Sequence, residues 1–123
     1  MTPELKALIV SDVHSNLEAF QSVIGDAQER GGFDEIWSLG DLVGYGPDPV
    51  AVIELLQEYE HKGVVGNHDL AAIRKLSIEA FNPHATHAAL WTADQLTEKH
   101  NEFLDGQPLK LTLGEFLLVH GSP

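Results

Sequence analysis

The chain has 123 residues, 43% of them hydrophobic and 21% charged, the balance of an ordinary globular protein with one core rather than a disordered, fibrous or membrane-embedded chain. Nineteen Asp and Glu against seven Lys and Arg give a formal charge of −12, which opposes nucleic-acid backbone and anionic membrane, so neither is an expected partner unless cations intervene. Zero cysteines exclude disulfides and thiolate sites and leave any metal to oxygen and imidazole ligands; with no leader-like or spanning segment, the chain reads as cytoplasmic.

Leu5 to Val10 reads as a short buried strand running directly into the polar cluster Ser11, Asp12, Val13, His14, Ser15 and Asn16. From Leu17 the apolar residues Leu17, Phe20, Val23, Ile24 and Ala27 recur at helical spacing, with Asn16 or Ser15 as N-cap and Gly31-Gly32 as the stop. Phe33 to Leu39 supplies a second strand, parallel to the first through a right-handed crossover, and Gly40-Asp41 follows it on a glycine-rich bend with glycines at 44 and 46. Asp48 as N-cap and Pro49 at the first helical position open a second helix holding Val52, Ile53, Leu55 and Leu56. Lys62 to Val65 is a third strand, which opens into Gly66, Asn67, His68 and Asp69 ahead of a helix from Leu70 to Leu76.

Asn82 to Leu104 reads as helical with a break near Thr97, and its histidines at 84, 87 and 100 follow no strand, so they read as surface or helix-packing residues. Leu109 to Leu113 and Phe116 to Val119 bracket Gly114-Glu115 as a hairpin whose second arm ends at His120. The expectation is a single domain over residues 1–123.

Asp12, His14, Asp41, Asn67, His68 and His120 all fall at or just past strand ends, where open α/β sheets collect ligands. Two carboxylates, one amide and three imidazoles form a hard-to-borderline donor set that suits Mn²⁺, Fe or Zn²⁺ better than Mg²⁺. An Asp whose oxygens touch different ions can bridge two metals about 3.5–4 Å apart, the spacing that clamps both oxygens of an in-line displacement. The central strand makes Asp41 the natural bridge. Each cluster alone is common; four in this order, each after a strand, are poorly explained by chance.

Asp12-Val13-His14, Gly40-Asp41, Gly66-Asn67-His68-Asp69 and Val119-His120-Gly121 resemble, over essentially the whole chain, the motif series of the calcineurin-like metallophosphoesterase superfamily. The small bacterial phosphodiesterase-like branch is the most similar, through Asp12 to Asn16, Gly44 to Pro49 and Phe81 to Trp91. The resemblance implies an α-β-β-α sandwich of two mixed sheets and a hydrolase for a small phosphoester or nucleotide substrate. It implies Asp12 and His14 on a first divalent metal ion, Asp41 bridging, Asn67 and His120 on a second, and His68 as general acid beside a metal-bound hydroxide.

Two departures from the family pattern bear on these expectations. Its last motif, Gly-His-x-His, does not occur before Pro123, so the domain is expected to be C-terminally truncated, its second sheet incomplete and its metal affinity reduced. An exposed sheet edge also makes pairing between copies, a homo-oligomer, a structural risk. Gly44 stands where the protein-phosphatase branch places an Asp to orient the catalytic His, leaving that task to Asp69 or Asp48 and arguing against a protein Ser/Thr phosphatase. Tyr45, Asp48, Arg74, His84 and His87 are candidates for the substrate mouth, Arg74 being the early cationic phosphate clamp. The alternative reading is a non-catalytic interaction scaffold on the same fold.

Overall fold

Residues 4–122 are described by a computed structural model; residues 1–3 and 123, the ends of the expected domain, lie outside it. Three parallel strands, β1 (Ala7–Val10), β2 (Glu35–Ser38) and β3 (His61–Gly63), lie in that order, with Ile9 opposite Trp37 and Trp37 opposite Lys62. The helices are α1 (Leu17–Glu29), α2 (Pro49–Gln57), α3 (Asn67–Ala72), α4 (Pro83–Gln95) and α5 (Glu98–Asp105). A hairpin of β4 (Lys110–Leu113) and β5 (Phe116–Val119) forms a separate antiparallel sheet, Leu111 opposite Leu118.

Helix α1 starts where the sequence places it: Asn16 Oδ1 accepts from Ala19 N at 3.0 Å, satisfying one of the free first-turn donors. Phe20 and Ile24, one turn apart, turn inward. On α2, Val52, Ile53 and Leu56 are buried against Ile36 of β2, each such side chain contributing about 1.5–3 kcal/mol. Pro49 opens that helix, but Asp48 makes no side-chain capping bond. The opposite face of β2 carries Trp37, which packs with Val64 and Leu118 and meets Phe116 edge-on at 5.8 Å. A parallel strand covered on both faces needs apolar residues at successive positions, which β2 has. The architecture is mixed α/β: helices, a parallel sheet, then a small antiparallel sheet. Among the described residues, no helix is long and apolar enough to cross a membrane.

Several boundaries differ from expectation: β2 is Glu35–Ser38 and α3 ends at Ala72, and three further differences have a visible cause. Strand β1 begins at Ala7, because Lys6 is already occupied by Asp34: Lys6 N donates to Asp34 Oδ2 and Asp34 N to Lys6 O, both at 2.7 Å. Strand β3 ends at Gly63 because the chain turns toward the hairpin; Val64 N still donates to Ser38 O, but Val65 N donates to Pro108 O. Helix α3 starts at Asn67, not Leu70, because Asp69 Oδ2 accepts from Gly66 N at 3.0 Å and closes the first turn. Asn67, His68 and Asp69 therefore sit on a helix start rather than in a loop.

One charge lies inside β2. Glu35 Oε1 accepts from Trp37 Nε1 at 2.7 Å, and both its oxygens accept from Lys62 Nζ at 2.9 and 2.8 Å. The Lys62 bond, then the Trp37 bond, hold this carboxyl below its ordinary value of 4.5 despite burial. A lowered folded-state value means the bonds stabilise above pH 4.5 and are lost as pH falls through the folded value. Glu35→Gln is expected to cost about 1–2 kcal/mol at pH 7, allowing for solvent screening of the Lys62 charge, and to flatten the fall in stability below pH 4.5. Urea unfolding across that range measures both effects.

Candidate metal centre

The loops after β1 and β2 are zipped together. Asp12 N donates to Gly40 O, His14 N to Asp41 O and Ser15 N to Leu42 O, at 3.0, 2.9 and 2.8 Å. This ladder holds Asp12, His14, Ser15 and Asp41 at φ of 56, 49, 57 and 56°. Such left-handed positions cost about 1–3 kcal/mol each for non-glycine residues and persist only where surroundings over-determine them. Asp69 supplies the other brace, its carboxylate accepting from Asp41 N, Val43 N and Gly66 N at 2.9, 3.1 and 3.0 Å. Burial pushes its carboxyl up to about 6, the three amide donors pulling the other way. Gly40, at φ 101°, has room for no side chain: a Cβ would lie 2.7 Å from His120 Nδ1 and 2.9 Å from Gly66 Cα.

On that frame the strand ends converge. His14 Nε2 lies 3.5 Å from Asp12 Oδ1 and 3.6 Å from Asp41 Oδ2. His120 Nε2 lies 3.2 Å from the same Asp41 oxygen and 3.0 Å from Asn67 Oδ1. Asp41 itself is buried and its Oδ1 accepts from His68 N at 2.9 Å. The other nitrogen of each histidine faces a backbone carbonyl: His14 Nδ1 meets Val43 O at 3.1 Å, and His120 Nδ1 meets Leu39 O at 2.8 Å. A carbonyl only accepts, so each Nδ1 carries a proton, and Nε2 is the nitrogen each ring turns toward Asp41 and can offer to a cation.

Two imidazole nitrogens then converge on one carboxylate oxygen, an arrangement that can enclose a cation. Asp12, His14 and Asp41 can each bring a ligand atom within 4.8 Å of the others. Asn67 adds a second such set with Asp41 and His120. Its Oδ1 faces acceptors; turned over, its amide would donate to His120 Nε2 at 3.0 Å and to Asp41 Oδ2 and Oδ1 at 3.2 and 3.3 Å. Metal-free, the amide nitrogen can satisfy this corner, and with a cation present the oxygen can. The donor set therefore fits divalent ions.

His68 is close by but held differently. Its ring packs among Phe81, Tyr45 and His14, with centroids 4.7, 4.8 and 5.0 Å away, and its buried Nδ1 has no hydrogen-bond partner. Burial lowers its pKa below 6.5, the Asp41 charge opposing and His14 and His120 adding to the lowering. Orientation by Asp69 is thus overturned, since both Asp69 oxygens are taken by backbone amides. Aromatic packing takes that role. At Gly44, φ 92°, a Cβ would lie 3.0 Å from His68 Cβ and Nδ1, so a side chain there would press on the ring.

Arg74, the candidate phosphate clamp, meets Asp94 at 3.7 Å with both side chains largely exposed. His100 is buried and caps α5, its Nδ1 accepting from Thr97 N at 3.0 Å. His84 and His87 do not pack inward; they line a groove with Tyr45 and Trp91. Phe81 is the neighbour that sequence reasoning left without a role. Its position ahead of Asn82-Pro83, a helix start, is the signal that it caps the site from α4, where Asn82 Oδ1 accepts from Ala85 N at 2.8 Å.

Known proteins resemble this chain in sequence and in fold. The family model described as calcineurin-like phosphoesterase matches residues 5–123. A metallophosphoesterase crystal structure from Sphaerobacter thermophilus superposes with a TM-score of 0.81 at 45% identity, over 97% of this chain and 47% of that one. An uncharacterized protein of Methanocaldococcus jannaschii is 42% identical over 101 residues, 82% of this chain and 41% of its own length. A symmetrical bis(5'-nucleosyl)-tetraphosphatase of Glaesserella parasuis is 32% identical over 119 residues, 93% of this chain and 43% of its own length. The chain thus spans less than half the length of these relatives.

Proposed function

The chain belongs to the calcineurin-like phosphoesterase family, and from that premise we propose that it hydrolyses a small phosphoester, a nucleotide being the favoured class, with two divalent cations at the strand-end cluster. The observation that carries this reading is the pair of imidazole Nε2 atoms, from His14 and His120, converging on Asp41 Oδ2. The tetraphosphatase relative favours a nucleotide over other phosphoesters. Mn²⁺, Fe or Zn²⁺ matches the mixture of imidazole and carboxylate.

In this reading Asp12, His14 and Asp41 hold one ion, and Asp41, Asn67 and His120 hold the other. Bound there, the ions supply positive charge to the phosphoryl oxygens and lower the pKa of a water to about 7. Asp41 keeps its two oxygens fixed because its own amide is held by Asp69 and its Oδ1 by His68 N. The Val43 and Leu39 carbonyls hold His14 and His120 in the tautomer that leaves Nε2 free. His68 exchanges protons through Nε2, since its Nδ1 is sealed and unpartnered. As general acid it would give its Nε2 proton to the departing oxygen.

Hydrolysis of bis-p-nitrophenyl phosphate with Mn²⁺ tests the reading directly. His68→Asn is expected to cut turnover about 10²- to 10⁴-fold while calorimetry finds the same metal affinity as in the wild type. Equal turnover in both proteins removes His68 from the chemistry. No turnover in a wild type that binds two Mn²⁺ ions favours the scaffold alternative, for which Phe116 and Leu117, exposed on opposite sides of the hairpin, offer apolar contacts.

A further inference from the structure

Helix α4 carries two different faces. Ala85, Ala89, Thr92 and Ala93 are buried, while His84, His87, Ala88 and Trp91, also spaced to share one face, line a groove of about 520 Å³. That volume falls in the range of small-molecule sites, about 300–1,000 Å³. The opposite wall is the loop Tyr45, Gly46 and Pro47. Tyr45 and Trp91 leave 49% and 40% of their surfaces exposed, large aromatic areas kept in water. The chain has 19 Asp and Glu, yet none lines this groove.

The groove is continuous with the metal centre through a single ring. Tyr45 meets His14 at 5.1 Å and His68 at 4.8 Å between centroids, and it also walls the groove. A flat group resting there would lie one aromatic ring away from the ligand cluster. Resting on the phosphoesterase reading, we propose that this groove binds the nucleobase of a nucleotide substrate. Tyr45 and Trp91 supply stacking surfaces, and His84 and His87 supply ring nitrogens that donate to or accept from the base edge. The lack of carboxylates lets the attached phosphates reach the cluster without repulsion at the groove. An acyl chain would leave both imidazoles without partners, and a cationic group would find no acid.

The test uses the whole chain, stripped of metal, titrated with adenosine, so that neither phosphate nor hydrolysis contributes. Adenosine is expected to shift the NMR signal of the Trp91 indole N–H and to leave that of Trp37, which is buried and donates to Glu35; ribose is expected to shift neither. Trp91→Ala is expected to weaken adenosine binding about ten-fold or more, whereas Leu90→Ala, next to it on the exposed side of α4, keeps the affinity. No shift at Trp91, equal shifts at both indoles, or unchanged affinity in Trp91→Ala overturns the proposal. If Trp91→Ala does not fold, the wild-type indole shifts decide alone. A protein that binds adenosine in this way but hydrolyses nothing refutes the enzymatic reading while leaving the groove intact.

Discussion

Asp41→Asn is expected to abolish the paired metal site while leaving the fold in place. Partners one step removed from a metal already change affinity about 10- to 100-fold, so losing the charge of the shared ligand is expected to weaken Mn²⁺ binding by about 100-fold or more and to take turnover with it. The fold survives because the substituted side chain still offers an oxygen to His68 N, which now donates to Asp41 Oδ1 at 2.9 Å. Metal-free stability is expected to change by no more than about 1 kcal/mol, since the bond from His68 N is kept. Thermal melts with and without Mn²⁺ separate the two effects. Wild type gains stability on adding metal, and the variant gains little. A metal-dependent rise equal to that of the wild type would remove Asp41 from the centre of the site.

The strand-end clusters were legible because each sits next to an apolar run, and period-two or continuous apolar patterns are a local signal. The same holds for the Asn16 cap and the Gly114-Glu115 turn. Asp12, Asp41 and Asn67 follow the three successive parallel strands, so topology alone brings them together, and His120 joins them from the end of the hairpin. What could not be read is which partners hold them. Asp69 reads locally as the end of a polar motif; its bonds to Asp41 N and Val43 N span 28 and 26 residues, and nothing in periodicity reports such a contact. The true start of α3 was hidden for a related reason, because Gly66 offers no side-chain cap and the helix is closed from within by Asp69. His68 was expected to lean on an acid, as charged partners are easy to name from sequence. Packing by Tyr45 and Phe81 depends on how α4 and the loop after β2 approach each other, which only the fold determines.

Gly66→Ala is expected to be the most damaging single methyl in the chain. A Cβ at Gly66 would overlap Asp41 Oδ1 and Asp41 N, and would sit 2.8 Å from Asp41 Cγ. None of these atoms can give way cheaply. Asp41 N is held by Asp69, Asp41 O accepts from His14 N, and the carboxylate is held by His68 N. Gly66 N is itself tied to Asp69, so moving the helix start instead would break the same brace from the other side. The expected loss is at or beyond the upper end of the about 1–3 kcal/mol typical of overpacking, together with loss of metal binding, because the strain falls on the bridging acid. Gly114→Ala is the matched comparison: at φ 59° it is strained, but its Cβ would meet nothing within 4 Å, so a cost of about 1 kcal/mol is expected with Mn²⁺ affinity kept. Urea unfolding and calorimetry on the two variants read this difference. If Gly66→Ala bound Mn²⁺ as tightly as Gly114→Ala, the helix start would not be what positions Asp41, and the brace through Asp69 would have to act on the loops alone.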